Sequence, residues 1–164
     1  MSLQIPTIHA SAVLVGARAV LIRGASGAGK SRLALELLAR IRPFGRLVGD
    51  DRVHLEPAHG RLLVRPAPAL VGLIELRGLG LRQLPFEPVA AVGLVVDLAA
   101  AEAARMPDDA DREAVIAGIR LPRLAVAAGA DALPLVLETL REHDLAPKTP
   151  SGVLLAAPFR LAMT

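Results

Sequence analysis

The sequence predicts an α/β fold with a strand-rich mixed sheet, a few helices and a phosphate-binding loop (P-loop). Three observations support this prediction. The chain has 164 residues, of which 53% are hydrophobic, and this size and composition fit a single domain over residues 1–164. Short apolar runs alternate with turn residues along most of the chain. A Gly-rich motif stands between a predicted strand and a predicted helix.

The charge and composition exclude several classes of protein. Nineteen Lys and Arg against sixteen Asp and Glu give a net charge of +3, which is too small and dispersed for a nucleic-acid-binding surface. The chain has no Cys, Trp or Tyr, so disulfides, thiol chemistry and aromatic stacking platforms are not expected. We find no signal-peptide pattern and no uncharged apolar run of about 18 residues. The prediction is a cytoplasmic protein that does not bind a membrane.

The N-terminal elements begin with a predicted hairpin. Residues 9–15 and 19–23 are apolar, β-type runs, and Gly16–Arg18 between them forms a tight turn. A helix is predicted over Ser31–Ile41, because Leu33, Leu37 and Leu38 recur at helical spacing. Pro43 and Gly45 then end that helix.

The remaining elements are mostly predicted strands. A short strand over 46–48 leads into Gly49, and residues 53–56 pair with 61–65 as a second hairpin. The apolar stretch 70–84 contains three glycines and is predicted as a strand running into an irregular loop. Further predictions are a buried strand over 90–98, a short helix over 99–105, a loop over 107–113, a strand over 119–126 and a helix over 130–143.

The phosphate-binding motif is the strongest chemical signal in the sequence. The residues Gly24, Ala25, Ser26, Gly27, Ala28, Gly29, Lys30 and Ser31 match G-x-x-x-x-G-K-[ST]. Backbone amides of such a loop turn toward phosphate oxygens, and the following helix N-terminus adds positive charge. The motif therefore predicts a site where Lys30 neutralises phosphates and Ser31 offers its hydroxyl to Mg²⁺.

Two positions could supply the carboxylate that such a site needs. Asp50 and Asp51 follow Lys30 by about twenty residues and come directly after an apolar strand. Adjacent acids can serve one site only where the chain turns. Asp97 ends a longer apolar strand, as a Walker B carboxylate does, although a strand-end Asp can also cap a following helix. The residues alone leave both placements open.

Two further polar residues stand out. Glu75 interrupts an apolar run, where a charge must be paired or bound to a cation; Arg77 is its candidate ion-pair partner, and metal binding is the alternative. His9 opens the first strand and is a weaker candidate for catalysis.

The order of these motifs resembles the catalytic domain of HPr kinase/phosphorylase, in the short form without the family's N-terminal domain. The resemblance covers roughly residues 5–128. It rests on His9 and on the following segments: GASGAGKS at 24–31, VGDD at 48–51, LIELRGLG at 73–80, ARMP with Arg105, and LPRLAV at 121–126. It implies a P-loop fold related to phosphoenolpyruvate carboxykinase, usually assembled as a hexamer.

The resemblance also implies an activity and its cofactors. The activity is ATP- and Mg²⁺-dependent phosphorylation of a serine on an HPr-like phosphocarrier protein of the phosphotransferase system, which regulates carbon metabolism. The reverse, phosphorylase direction uses inorganic phosphate. The competing hypotheses are a small-molecule kinase or NTPase that uses Asp97, and a nucleotide-sensing module without turnover.

The resemblance implies roles for individual residues. Lys30 binds the transferring phosphate, Ser31 and Glu75 bind Mg²⁺, and the pair Asp50–Asp51 supplies the base, without a choice between the two acids. His9 and Arg105 line the site. Arg77 and Gly78 belong to a segment tied to both activities, and Pro122 and Arg123 to one linked to phosphorolysis.

Three features depart from the family pattern. The turn over 41–45 is longer than usual, which predicts a small displacement of the Asp pair. LPRLAV is a degenerate version of its family segment, and residues 129–164 do not match the family's C-terminal helices.

Overall fold

The computed structural model describes residues 7–103, 105–149 and 152–153. Its helices are α1 (Lys30–Arg40) and α2 (Ala132–Glu142), and a 3-10 turn covers Pro68–Leu70. Its strands are β1 (Thr7–Ile8), β2 (Ala10–Val15), β3 (Arg18–Arg23), β4 (Gly45–Gly49), β5 (Val53–Ala58), β6 (Arg61–Pro66), β7 (Leu73–Leu76), β8 (Gly80–Gln83), β9 (Ala90–Leu98), β10 (Glu113–Ile116), β11 (Ile119–Val126), β12 (Lys148–Thr149) and β13 (Gly152–Val153).

The main sheet is mixed, as predicted. Its strands follow the order β1, β5, β6, β9, β3, β2, β4, and β11 also pairs with β9 and with β10. The two predicted hairpins are confirmed as the antiparallel pairs β2–β3 and β5–β6. β9 is parallel to β3 and β11 and antiparallel to β6. The carboxyl ends of β3, β9 and β11 therefore meet at one edge of the sheet.

Two hydrophobic cores lie on opposite sides of this sheet. Side chains alternate in direction along a strand, so Val20 and Ile22 of β3 enter the first core and Leu21 enters the second. The first core is covered by α1 and α2, whose apolar faces contribute Leu37 and Leu140 among others. The second core is built from strand residues.

Two of the three predicted helices, 31–41 and 130–143, are confirmed with small shifts in their ends. The spacing of Leu33, Leu37 and Leu38 buries one face of α1 against the first core. Pro134 lies in the first turn of α2, where its missing N–H has no helical partner to lose. Neither helix of the described residues is long and apolar enough to cross a membrane.

Two local predictions are wrong. Residues 99–103 and 105 form no helix, because Ala99 has a left-handed backbone (φ 52) and the amide of Ala100 donates to the carbonyl of Val126 on β11 (3.0 Å). The stretch 70–84 contains a hairpin in place of an irregular loop. Its strands β7 and β8 pair from Leu73 opposite Gln83 to Leu76 opposite Gly80.

Candidate active site

The P-loop joins the end of β3 to the start of α1. Gly27 and Gly29 have φ values of 83° and 98°, a region that residues with a Cβ adopt at a cost. Gly29 is the N-cap of α1, and its carbonyl accepts the hydrogen bond of the Leu33 amide (3.0 Å). The loop thus delivers its amides and the helix N-terminus to one concave surface, which is the geometry that binds phosphate.

Lys30 is buried beneath this loop. Its Nζ donates to the carbonyl oxygens of Gly24 (2.8 Å) and Ala25 (3.0 Å). Burial lowers the pKa of Lys30, and the nearby charges of Asp50 and Asp51 oppose that shift. The ammonium group has three donors, so one remains for a phosphate oxygen.

Asp50 is the most connected polar group of the site. It is 2% exposed, and its carboxylate accepts hydrogen bonds from the hydroxyls of Ser11 (2.5 Å) and Ser31 (2.8 and 3.0 Å) and from the amide of Glu75 (3.4 Å). These donors come from β2, α1 and β7, while Asp50 directly follows β4. The carboxylate therefore ties four elements together beneath the P-loop.

Asp51 has the opposite environment. The chain turns here, with Asp51 in the left-handed region (φ 66) and the amide of Arg52 bonded to the carbonyl of Asp50 (2.8 Å). The side chain of Asp51 is 59% exposed, and its Oδ1 lies 3.0 Å from Nε2 of His9. The longer turn over 41–45 has not separated the acids from the P-loop, since Asp50 still contacts Ser31.

The β7–β8 hairpin covers the P-loop. A Cβ atom placed on Gly27 would lie 3.9 Å from Nη2 of Arg77, so this guanidinium sits beside the loop. Gly78 (φ 85) makes the turn, closed by the Leu79 amide on the carbonyl of Leu76 (3.0 Å). Glu75 is exposed, and among the described residues it forms no ion pair with Arg77 within 4.0 Å.

Asp97 does not lie in a metal-binding position. Its oxygens accept hydrogen bonds from Arg23 (Nε 2.7 Å, Nη2 2.8 Å) and from Nε of Arg123 (2.7 Å). Burial alone would raise the pKa of Asp97, but hydrogen bonds and charges from the two guanidinium groups outweigh it and lower the pKa. Both oxygens are thus committed to arginines, and the Walker B hypothesis is not favoured.

Arg123 belongs to the same network and not to the P-loop surface. It is 11% exposed, pairs with Glu102 as well as Asp97, and donates to the carbonyl of Asp111 (3.2 Å). Burial disfavours its charge, but the two carboxylates more than compensate and raise the pKa of Arg123. Arg105 is exposed in the loop after β9, and within the described part of the chain it forms no hydrogen bond or ion pair with the P-loop. The structure therefore does not bring these two predicted residues into the site.

Sequence reasoning missed three participants. Ser11 is fully buried and bonds to Asp50, and the signal for it is one hydroxyl within the apolar strand ASAVLV. Arg23 directly precedes the P-loop, but its partner Asp97 is distant in the sequence. Glu102 lies in the segment predicted as a helix, and nothing local marks it as a partner of Arg123.

The donor set around Ser31 fits Mg²⁺. The hydroxyl of Ser31 and the carboxylate of Asp50 are hard oxygen donors, and the exposed carboxylate of Glu75 belongs to a residue whose amide faces Asp50. The described residues contain no group of three or more His, Asp or Glu side chains able to hold a metal ion by themselves. Mg²⁺ takes one or two protein carboxylates and completes its shell with phosphate and water.

Comparisons with known proteins agree with this geometry. The family described as HPr Serine kinase C-terminal domain matches residues 3–136. The chain is 43% identical over 74 residues to an HPr kinase/phosphorylase of Clostridium beijerinckii, and 49% identical over 63 residues to one of Exiguobacterium. These segments cover 45% and 38% of this chain but only 24% and 19% of the relatives' own length.

A solved structure matches over a much larger share. The Hpr(Ser) kinase/phosphatase from Coxiella burnetii superposes with a TM-score of 0.69 and 30% identity, over 85% of this chain and 97% of that chain. The strand-rich P-loop fold, the motif order and the family match over most of the sequence point to the same conclusion. The chain belongs to the family of the HPr serine kinase C-terminal domain, a family of enzymes.

Proposed function

We propose that this protein is an ATP- and Mg²⁺-dependent kinase that phosphorylates a serine of an HPr-like phosphocarrier protein. The observation that carries the proposal is the division between the two adjacent acids. Asp50 is buried on the P-loop Ser31, whereas Asp51 is exposed beside His9. Asp50 thus contacts the nucleotide-binding loop, and Asp51 lies at the surface, where a protein substrate can reach it.

The P-loop residues position the donor. Amides of residues 24–31 and the ammonium of Lys30 neutralise the phosphates, and Arg77 adds positive charge beside Gly27. Ser31 and Glu75 would hold Mg²⁺ beside the buried carboxylate of Asp50. The bound ion would neutralise the charge that spreads over the transferring phosphoryl group.

Asp51 acts as the general base. It takes the proton from the hydroxyl of the substrate serine while the serine oxygen bonds to the γ-phosphorus and the bond from that phosphorus to the ADP oxygen breaks. His9, at 3.0 Å, orients the carboxylate. Asp50 is unsuited to this step because Ser11, Ser31 and the Glu75 amide occupy its oxygens.

The kinase direction is the main activity that we propose. The family segment linked to phosphorolysis contains Arg123, which here is bound by Asp97 and Glu102. Because both carboxylates hold Arg123 away from the P-loop, we expect forward transfer from ATP to be faster than reverse attack by inorganic phosphate.

The test is transfer of labelled phosphate. The protein is incubated with radiolabelled ATP, Mg²⁺ and an HPr-like carrier, and the labelled residue is mapped. We expect phosphoserine on the carrier and a loss of about 10²–10⁴-fold in kcat for Asp51→Asn. Asp109→Asn, which removes an exposed acid outside the site, is the matched control and should retain activity. Clear ATP binding without any transfer would contradict the kinase and leave a nucleotide sensor.

We further propose that the chain acts as one unit over 1–164 and assembles as a homo-oligomer, a hexamer by family resemblance, in the cytoplasm and without nucleic-acid or membrane partners. Exposed Leu79, Leu81 and Met106 support subunit contacts. Sedimentation at micromolar concentration tests the assembly, and a monomer would contradict it.

A further inference from the structure

A second concave feature adjoins the P-loop, and most of its lining has no role in the chemistry above. It is a cavity of about 470 Å³ between the P-loop, the first turns of α1 and the loop that connects β11 to α2. Its walls include Gly27, Gly29 and Leu33 on one side and residues 126–132 on the other. This volume lies within the range of small-molecule sites, about 300–1,000 Å³.

The position of the cavity follows from the strand order. β3 leads into the P-loop; β2 and β4 lie on one side of β3, and β9 and β11 on the other. Asp50 and Asp51 follow β4, whereas the cavity lies at the carboxyl ends of β9 and β11. In open α/β sheets, ligands bind at these carboxyl ends. A nucleoside triphosphate with its γ-phosphate near the two acids would therefore extend its base toward the cavity.

The lining suits a flat group that packs on small side chains and contacts main-chain N–H and C=O groups. Ala127, Ala128, Gly129 and Ala130 offer small side chains and main-chain groups, with Gly129 (φ 81) in a turn closed by the Ala130 amide on the Ala127 carbonyl (3.1 Å). The charged residues on the α1 side, Arg32 and Glu36, neutralise each other at 2.9 Å. Asp131 adds one carboxylate, which can accept an N–H from the amino group of either purine.

We propose that this cavity holds the purine base of the nucleotide and selects it by fit, with little use of side-chain hydrogen bonds. The inference deepens the proposed function and rests on nucleotide binding at the P-loop. Pockets that recognise by shape discriminate weakly between ligands of equal size. GTP should therefore bind within about tenfold of ATP.

Bulky substitutions in the loop test this assignment by binding alone. Ala128→Phe and Ala130→Phe fill the cavity at exposed positions, and Ala110→Phe, at an exposed alanine outside the cavity, is the matched control. Calorimetry compares ATP with inorganic tripolyphosphate, which has the phosphates but no base. We expect at least one of the two cavity variants to bind ATP about tenfold or more weakly than the unaltered chain does. Its affinity for tripolyphosphate, and both affinities of the control variant, should be unchanged. Equal affinities for ATP in all three variants, or equal losses for both ligands, would overturn the proposal.

A measurement on the unaltered chain keeps the test independent of folding. Photolabelling with 8-azido-ATP should mark peptides from residues 126–132 or from the first turns of α1, and excess tripolyphosphate should prevent it. Labelling confined to other peptides would overturn the base site while leaving the kinase intact. No ATP binding at all would overturn both proposals, and binding without phosphoserine formation would overturn only the kinase.

Discussion

The neighbouring acids Asp50 and Asp51 differ in their environment because the backbone turns between them. Gly49 ends β4, and Asp50 continues its direction into the interior, where it accepts hydroxyl hydrogen bonds. The left-handed conformation of Asp51 (φ 66) turns the next side chain to the surface and to His9. A single turn therefore separates a carboxylate that organises the P-loop from one that can accept a proton.

Ser11 is the residue on which the buried half of this arrangement depends. Replacing Ser11 with Ala removes a hydrogen bond of 2.5 Å between two buried groups, one of them charged. We expect a loss of about 1–3 kcal/mol in the free energy of unfolding. We also expect a lower kcat, because only Ser31 and the Glu75 amide would then donate hydrogen bonds to Asp50 and hold its carboxylate in place. Chemical denaturation and the transfer assay measure the two effects.

Thr139→Ala is the matched control for Ser11→Ala. The Thr139 hydroxyl donates to the Leu135 carbonyl in an exposed turn of α2, so its loss should change stability by less than about 0.5 kcal/mol. Equal stability of the two variants would show that Ser11 does not hold Asp50 in place.

At the scale of elements, the carboxyl ends of three parallel strands are fastened by one ion-pair network. Arg23 ends β3 immediately before the P-loop, Asp97 lies near the end of β9, and Arg123 lies on β11. Arg123 also reaches Glu102 and the carbonyl of Asp111 in the connection between β9 and β10. The network thus fixes the first residue of the P-loop relative to the strands beside the base cavity.

Asp97→Asn tests the network. The substitution leaves the partly buried guanidinium of Arg23 without a counter-charge and leaves Arg123 with only the exposed Glu102. This should cost about 2–3 kcal/mol and lower Tm by roughly 5–10 °C at pH 7. The Walker B hypothesis instead expects loss of Mg²⁺-dependent turnover with little change in Tm. Thermal unfolding followed by circular dichroism decides between them. Arg120→Gln, which removes an exposed charge on the same strand, is the control.

The Tm difference between the unaltered chain and Asp97→Asn should depend on pH, and its direction follows from the pKa of Asp97. The pKa of Asp97 is lower in the folded chain than its ordinary value of about 3.9. The stabilisation is therefore fully present above pH 4 and is lost as the pH falls through the lower, folded-state pKa. The Tm difference between the unaltered chain and Asp97→Asn should shrink below pH 4. A difference that stays constant down to pH 2.5 would contradict the ion-pair account.

Local patterns predicted most of the elements, and distant contacts explain the failures. The hairpins and both helices depend on turn residues and on side-chain spacing, which are visible within a few neighbours. The helix predicted over 99–105 is wrong because the Ala100 amide pairs with Val126, a contact across 26 positions. The P-loop followed from its motif, whereas the residues alone left the acid pair Asp50–Asp51 and Asp97 open as its carboxylate, and only the family resemblance pointed to the pair. The partners of Asp97 could not be predicted, since they lie 74 and 26 positions away.

At the scale of the whole molecule, the two cores are joined through shared strands. β3 places Val20 in the first core and Leu21 in the second, and β9 does the same with Leu94 and Val95. The P-loop, the acid pair and the base cavity all follow strands of this one sheet. A disturbance of either core should therefore reach the site, and the described chain should unfold as one cooperative unit.

Core truncations on opposite faces test this cooperativity. Leu94→Ala and Leu21→Ala remove fully buried side chains from the first and second core and should each cost about 2–5 kcal/mol. Exposed Leu81→Ala should cost less than about 0.5 kcal/mol. The chain lacks Trp and Tyr, so circular dichroism and hydrogen exchange of peptides from α1 and β5–β6 report unfolding. Because shared strands transmit the damage, we expect both peptides to lose protection together in either variant. Loss of protection in α1 with β5–β6 still protected would instead divide the chain into two independent units.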